Sequence, residues 1–234
     1  MTRVVAVVQA RMGSSRFPGK MLASLGDTSL LTWVLTRATN AKQVDEVVLA
    51  TTFDSRDDQL VEQATALYVR VVRGSQDDVL ARFIQASDES KADLVVRVCA
   101  DNPFVAPEEI DRLVDAHKNG RFDYSCNHQQ RLENQYADGF GAEIVSVDLL
   151  RQISLITTTT SHREHVTSYI WDNAAKFKIN AIQAPIELAY PEIKLDIDTE
   201  QDLAYLNEFV TKFAISMRSS AAEIVMAFNK FQNI

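Results

Sequence analysis

Chemistry-bearing residues are densest in Gln9-Ala10-Arg11-Met12-Gly13-Ser14-Ser15-Arg16-Phe17-Pro18-Gly19-Lys20, where three cations, two hydroxyls and two glycines fall within ten residues. Backbone N–H groups, the Ser14 and Ser15 hydroxyls, and Arg11, Arg16 and Lys20 can converge on one polyanion, which makes this a site for a nucleoside triphosphate. Such a site needs carboxylates to hold a divalent cation against the phosphates. Two stand where chain order allows it: Asp101 in Ala100-Asp101-Asn102-Pro103, and Asp198 in Leu195-Asp196-Ile197-Asp198-Thr199-Glu200-Gln201-Asp202-Leu203.

Each motif has a plainer reading. The loop is not a Walker A sequence, because Gly13 and the Gly19-Lys20 pair enclose five residues and Met21 stands where a Ser or Thr would hold the metal. A solvated basic turn is the alternative. Asp101 and Asn102 can form a turn before Pro103, and Asp198 can cap a helix. His162 and His165 flank Glu164 at a spacing that could serve zinc, although no third ligand lies nearby in sequence. No Ser/His/Asp triad follows from these spacings, and Trp33, Trp171, Phe209 and Phe213 read as core or interface side chains.

The surrounding pattern supplies elements to position these groups. The apolar run Val4–Val8 reads as a strand covered on both faces, directly before the basic loop. Helical spacing over residues 28–41, strand Val47–Ala50, a helix capped by Asp54 or Ser55, strand Val69–Val72, a helix over 77–90 and strand Leu94–Cys99 repeat the βα unit. This alternation implies a mostly parallel sheet with right-handed crossovers and ligands at the carboxyl ends of the strands. A helix is expected over 107–118 behind Pro107, and short strands at Asp123–Cys126, Ala142–Val147 and Phe177–Ile182. A capping box at Ser161–Glu164 predicts a helix to about Asn173, and residues 127–190 read as an inserted β-hairpin or small subdomain. Strand Ile193–Ile197, a helix capped by Thr199 and an amphipathic segment Ala221–Phe231 complete a single domain over 1–234.

Bulk properties narrow the classes. With 46% hydrophobic and 24% charged residues the chain is ordinary globular protein, and a net charge of −8 does not suit a nucleic-acid binder. No apolar stretch long enough to span a membrane and no signal-peptide pattern occurs, so the expected compartment is the cytoplasm. Cys99 and Cys126 read as buried free thiols.

The loop Gln-Ala-Arg-x-Gly-Ser-Ser-Arg-x-Pro-Gly-Lys resembles the signature of the cytidylyltransferase-type sugar nucleotidyltransferases, in the branch of the SpsF spore coat polysaccharide proteins. Further blocks agree in order: Arg73–Phe83, Ala100–Pro103, Tyr136–Glu143, Arg163–Thr167 and Ile197–Leu203. The resemblance covers about residues 4–206. It implies a three-layer, Rossmann-like (GT-A-like) α/β fold and transfer of a nucleotidyl group, with CTP the expected donor, to a sugar acid or sugar 1-phosphate with loss of pyrophosphate. By position, Arg16 and Lys20 would be catalytic; Ala10, Arg11, Gly13, Ser14, Ser15, Arg73 and Ser75 would bind nucleotide; Asp138, Glu143, Arg163 and His165 would face the sugar. Asp101 and Asp198 would hold Mg²⁺. A homodimer is the implied assembly. Two departures stand out: Gly141 replaces a common Asp, and Glu200 a common Pro. A GT-A-like glycosyltransferase and a non-catalytic nucleotide-binding homologue remain alternatives at this level.

Overall fold

The computed structural model describes residues 2–14, 16–127 and 131–233. The uninterrupted β-branched run at the N-terminus forms strand β1 (Val4–Gln9), with Val4 through Val8 fully buried. After the basic loop, β2 (Ser24–Leu25) and β3 (Thr28–Ser29) form a two-stranded hairpin about Gly26, an element absent from the sequence reading. Ser29 then caps α1 (Leu30–Thr39) by accepting from the Thr32 amide. The βα alternation continues through β4 (Glu46–Thr52), α2 (Asp58–Ala66), β5 (Arg70–Gly74), α3 (Val79–Glu89, capped by Asp78), β6 (Leu94–Cys99) and α4 (Pro107–Gly120, proline at its start).

Beyond α4 come β7 (Tyr124–Cys126), β8 (Glu143–Ser146), α5 (Val147–Ile156), α6 (Thr160–Glu164), α7 (Ser168–Asp172) and β9 (Ile179–Ala181). Residues 127–190, read as an insertion, thus lend β8 and β9 to the main sheet. Its seven strands run β5-β4-β1-β6-β8-β7-β9, and β8 alone is antiparallel to its neighbours. Side-chain alternation splits the core into two layers. Val4, Ala6 and Val8 face α1, α4 and the last two helices, α8 (Glu200–Phe213) and α9 (Ala221–Gln232), while Val5 and Val7 face α3 and α5.

Two expectations are corrected. The helix expected from Ser161 to Asn173 is two short helices, with Thr159 rather than Ser161 accepting the cap bond from the His162 amide. His165 leaves helical geometry at φ −105, ψ 89, which lets Val166 enter the core and Thr167 reach Glu143. The Ile193–Ile197 segment is not a sheet strand. It alternates buried Ile193, Leu195 and Ile197, but its backbone pairs with loops: Leu195 N–H donates to the Asp138 carbonyl and Ile197 N–H to the Asp101 carbonyl.

Chain direction fixes where a ligand belongs. After β1 the chain moves outward to β4 and β5, then returns to β6 on the other side of β1, so connections leave β1 and β6 in opposite directions. The crevice at their carboxyl ends receives both the basic loop and Asp101.

Candidate active site

The loop after β1 is held from below and from its end. Met12 N–H donates to Asp57 Oδ1 at 2.7 Å, while Asp57 Oδ2 accepts from the Thr51 and Thr52 hydroxyls and the Thr52 amide. Asp57 is buried, so this carboxylate ties the loop to the end of β4. Phe17 and Met21 sink into the core on either side of Gly19, whose φ of 76 turns the chain into the short 3₁₀ turn Lys20–Leu22.

Lys20 therefore projects from a fixed backbone. Its ammonium donates to the Ile197 carbonyl at 2.7 Å and lies 3.5 Å from Asp198 Oδ1 and 3.8 Å from Asp101 Oδ2. Arg16 Nη1 donates to Asp198 Oδ2 at 2.6 Å. The two carboxylates, nearly a hundred residues apart in sequence, thus share one cation. The Ile197 to Asp101 backbone bond holds their segments side by side, and Asp202, accepting from the Asp198 and Thr199 amides, fixes the turn into α8.

Two cavities meet at this junction, both lined by Arg16 and Asp101. One, about 370 Å³, is lined by Gln9, Ala10, Arg11, Gly13, Ser14 and Lys20 of the loop. The other, about 460 Å³, opens over β6 and β8 and includes Arg97, Asn102, Asp138, Glu143, His165 and Trp171, together with Asp196 and Asp198. Burial, and then the Asp138, Asp101 and Asp198 carboxylates, raise the Asp196 carboxyl above the usual range. In the second cavity Glu143 is saturated: it accepts from Arg97 Nη1 at 2.7 Å, Tyr124 Oη at 2.6 Å and the Thr167 hydroxyl. Burial, then the Glu143 carboxylate, push the Tyr124 phenol well up, so it stays a donor.

The expected residues are distributed unevenly. Ala10, Arg11, Gly13, Ser14, Arg16, Lys20, Asp101, Asp138, Glu143, His165 and Asp198 line the joined cavities. Ser15 lies outside the described residues. Arg73 lines neither cavity: it donates to the Thr52 and Asp54 carbonyls and pairs with Asp58. Ser75 accepts from the Asp78 amide and offers its carbonyl to Arg82. Arg163 also lines neither cavity and donates to the Ser154 and Thr157 carbonyls and to Asp78. His162 is engaged by Thr157 and Asp172.

Other residues escaped the sequence reading. Arg97 carried a signal, as a lone charge inside the apolar run Leu94–Cys99. Cys99, expected to be buried, is half-exposed and lines the second cavity. Trp171, expected in core or interface, lines it too, with its ring edge-on to Tyr124. Asp57 had no signal that distinguished it from Asp54 or Asp58.

Among the described residues no three His, Cys, Asp or Glu side chains are arranged to hold an ion by themselves. The donor set suits a divalent cation of the Mg²⁺ type, which takes one or two carboxylates and completes its shell with substrate phosphates and water.

A mostly parallel sheet whose basic loop and strand-end carboxylates meet at its switch point has a nucleotidyltransferase architecture. The chain belongs to the cytidylyltransferase family, whose model matches residues 5–227. Spore coat polysaccharide biosynthesis protein SpsF of Bacillus subtilis is 33% identical over 235 residues, 98% of this chain and 95% of that protein. A solved cytidylyltransferase from Leptospira borgpetersenii superposes with a TM-score of 0.90 at 31% identity, covering 100% of this chain and 96% of that one. The 3-deoxy-manno-octulosonate cytidylyltransferase of Pelobacter propionicus is 33% identical over 114 residues, 47% of this chain and 43% of that protein.

Proposed function

We propose that this protein transfers CMP from CTP to a sugar acid or sugar 1-phosphate, releasing pyrophosphate, in the cytoplasmic supply of an activated sugar for a surface glycan. The observation that carries the reading is the junction of the two cavities, where Lys20 stands between Asp101 and Asp198 and Arg16 pairs with Asp198. The triphosphate would lie on the loop side, against Ala10, Arg11, Gly13 and Ser14, with Ser15 proposed to bind it too, and the acceptor on the side of Asp138, Glu143 and His165. Arg73, Ser75 and Arg163 would act from behind these surfaces by fixing the loops.

Asp101 and Asp198 would hold Mg²⁺, which would supply positive charge against the triphosphate. The chain's own contribution is position and fixed charge. Arg16 and Lys20 are anchored on Asp198 and the Ile197 carbonyl, so they need little reorganisation as charge grows on the departing pyrophosphate. The attacking sugar oxygen forms a bond to the α-phosphorus as the bond to the β-phosphate oxygen breaks. A homodimer belongs to the same proposal; the exposed Leu155 and Ile156 at the end of α5 support a covered face there.

The test is a matrix of CTP, UTP, GTP and ATP against sugar acids and sugar 1-phosphates with Mg²⁺, read as pyrophosphate. CTP is expected to give the signal. Lys20→Ala and Asp101→Ala should each lower it by about a thousandfold with the circular dichroism spectrum unchanged. Wild-type rates in either variant would refute the assignment.

A further inference from the structure

Arg11 lines the cavity on the side of the basic loop, and its guanidinium is engaged from two sides. Nη1 donates to the Gln76 carbonyl at 3.2 Å, and Nη2 lies 3.8 Å from Glu164 Oε1. Among the described residues Glu164 pairs with Arg11 alone. Local structure does not account for this carboxylate, since Glu164 is the last residue of α6, where a helix favours a cation over an anion. Its backbone is nonetheless fixed. Arg163 beside it is held by the Ser154 and Thr157 carbonyls and by Asp78, and His165 leaves helical geometry to line the second cavity. Glu164 is thus presented to Arg11 from a segment tied to α3 and α5.

A second guanidinium adds to the positive charge here. Arg82 on α3 is fully buried and donates through Nη1 to the Ser75 carbonyl, while its Nε and Nη2 have no hydrogen-bond partner among the described residues. Burial, and then repulsion from Arg11, lower its pKa to about 10, with Asp57 acting in the opposite sense, so Arg82 is still charged at neutral pH. Asp57 spends its two oxygens on the Met12 amide and on Thr51 and Thr52. Glu164 is therefore the carboxylate that faces Arg11 directly, and a phosphate arriving there must displace it or stand beside it.

On the reading that a triphosphate seats against Arg11, we infer that Glu164 is a resident counter-ion that competes with phosphate for this guanidinium. It weakens binding of the triphosphate and, by a similar factor, of the pyrophosphate that leaves, so the cations of the loop do not retain the product. Glu164 acts through Arg11 and is a positioning residue. Both side chains are partly exposed, so the factor is modest and falls with salt.

The experiment titrates the whole chain calorimetrically with CTP and Mg²⁺ and, separately, with inorganic pyrophosphate and Mg²⁺. Glu164→Gln should bind both about threefold more tightly in about 0.05 M salt and lose that gain by about 0.5 M. Glu164→Asp keeps the charge on a shorter stem and should fall between the two. In an Arg11→Met background the gain from Glu164→Gln should disappear, which separates loss of the ion pair from a general loss of negative charge. In turnover, inhibition by added pyrophosphate should tighten by the same factor as its binding. Unchanged or weaker binding of both anions by Glu164→Gln overturns the inference, as does a gain that survives in the Arg11→Met background. If pyrophosphate follows the expected pattern and CTP does not bind, the choice of CTP falls and the counter-ion stands. If CTP binds and turns over while neither affinity moves, the counter-ion falls alone. Binding of neither anion at millimolar concentration removes both.

Discussion

Replacing Asp57 separates the support of the basic loop Gln9–Lys20 from the chemistry proposed for it. The Asp57 carboxylate gathers the Met12 amide at 2.7 Å, the Thr52 amide at 3.2 Å and the Thr51 and Thr52 hydroxyls. In Asp57→Ala the hydroxyls can rotate to other acceptors, but the two amides cannot. The Thr52 amide is buried, and stranding that donor costs about 1–3 kcal/mol of stability. The Met12 amide lies nearer the surface and can turn to water, so its loss acts on the loop. Freeing one residue of backbone costs about 1–2 kcal/mol to re-order on binding, or about tenfold in CTP affinity. Asp57→Asn keeps one oxygen and should show a smaller part of both effects. Urea unfolding measures the first quantity, and calorimetric titration of CTP with Mg²⁺ the second. Unchanged CTP affinity in a destabilised Asp57→Ala protein would show that the loop does not depend on this carboxylate; full stability as well would refute the hydrogen-bond accounting altogether.

Glu143→Gln should leave Arg97 charged against a neutral partner and destabilise the chain by about 3 kcal/mol, read by chemical unfolding. Glu143→Gln with Arg97→Met should recover part of that loss. His117 is buried against the Ser125 hydroxyl, and burial lowers its pKa despite Asp123. The unfolded chain therefore takes up the proton first, so this contribution is complete above about pH 6.5 and is lost as pH falls toward the depressed folded value. His117→Gln should flatten the dependence of urea midpoint on pH between about 7 and 5, and an unchanged slope would refute it.

The residue sequence determined much of this molecule because much of it is local. A β-branched run buried on both faces, helical apolar spacing and caps such as Ser29, Asp78 and Thr199 act over a few residues, and they locate β1, α1, the βα units from β4 through α4 and both C-terminal helices, though not the β2–β3 hairpin. The loop Gln9–Lys20 is likewise legible, since its cations and glycines are contiguous. Local signals misled where tertiary contacts outweighed them: Ile193–Ile197 alternates like a strand yet bonds to loop carbonyls, and the α6–α7 helix breaks so that Val166 and Thr167 can turn inward. Distance in sequence set the rest. Nothing near Asp101 indicates that Asp198 will share Lys20 with it, and nothing near Arg163 indicates that carbonyls of its own neighbourhood will claim its guanidinium. Those outcomes depend on where the crossovers leave each strand end. The order of the sheet decided which charges face the crevice, and a linear chain holds that order only through the packing of all its elements at once.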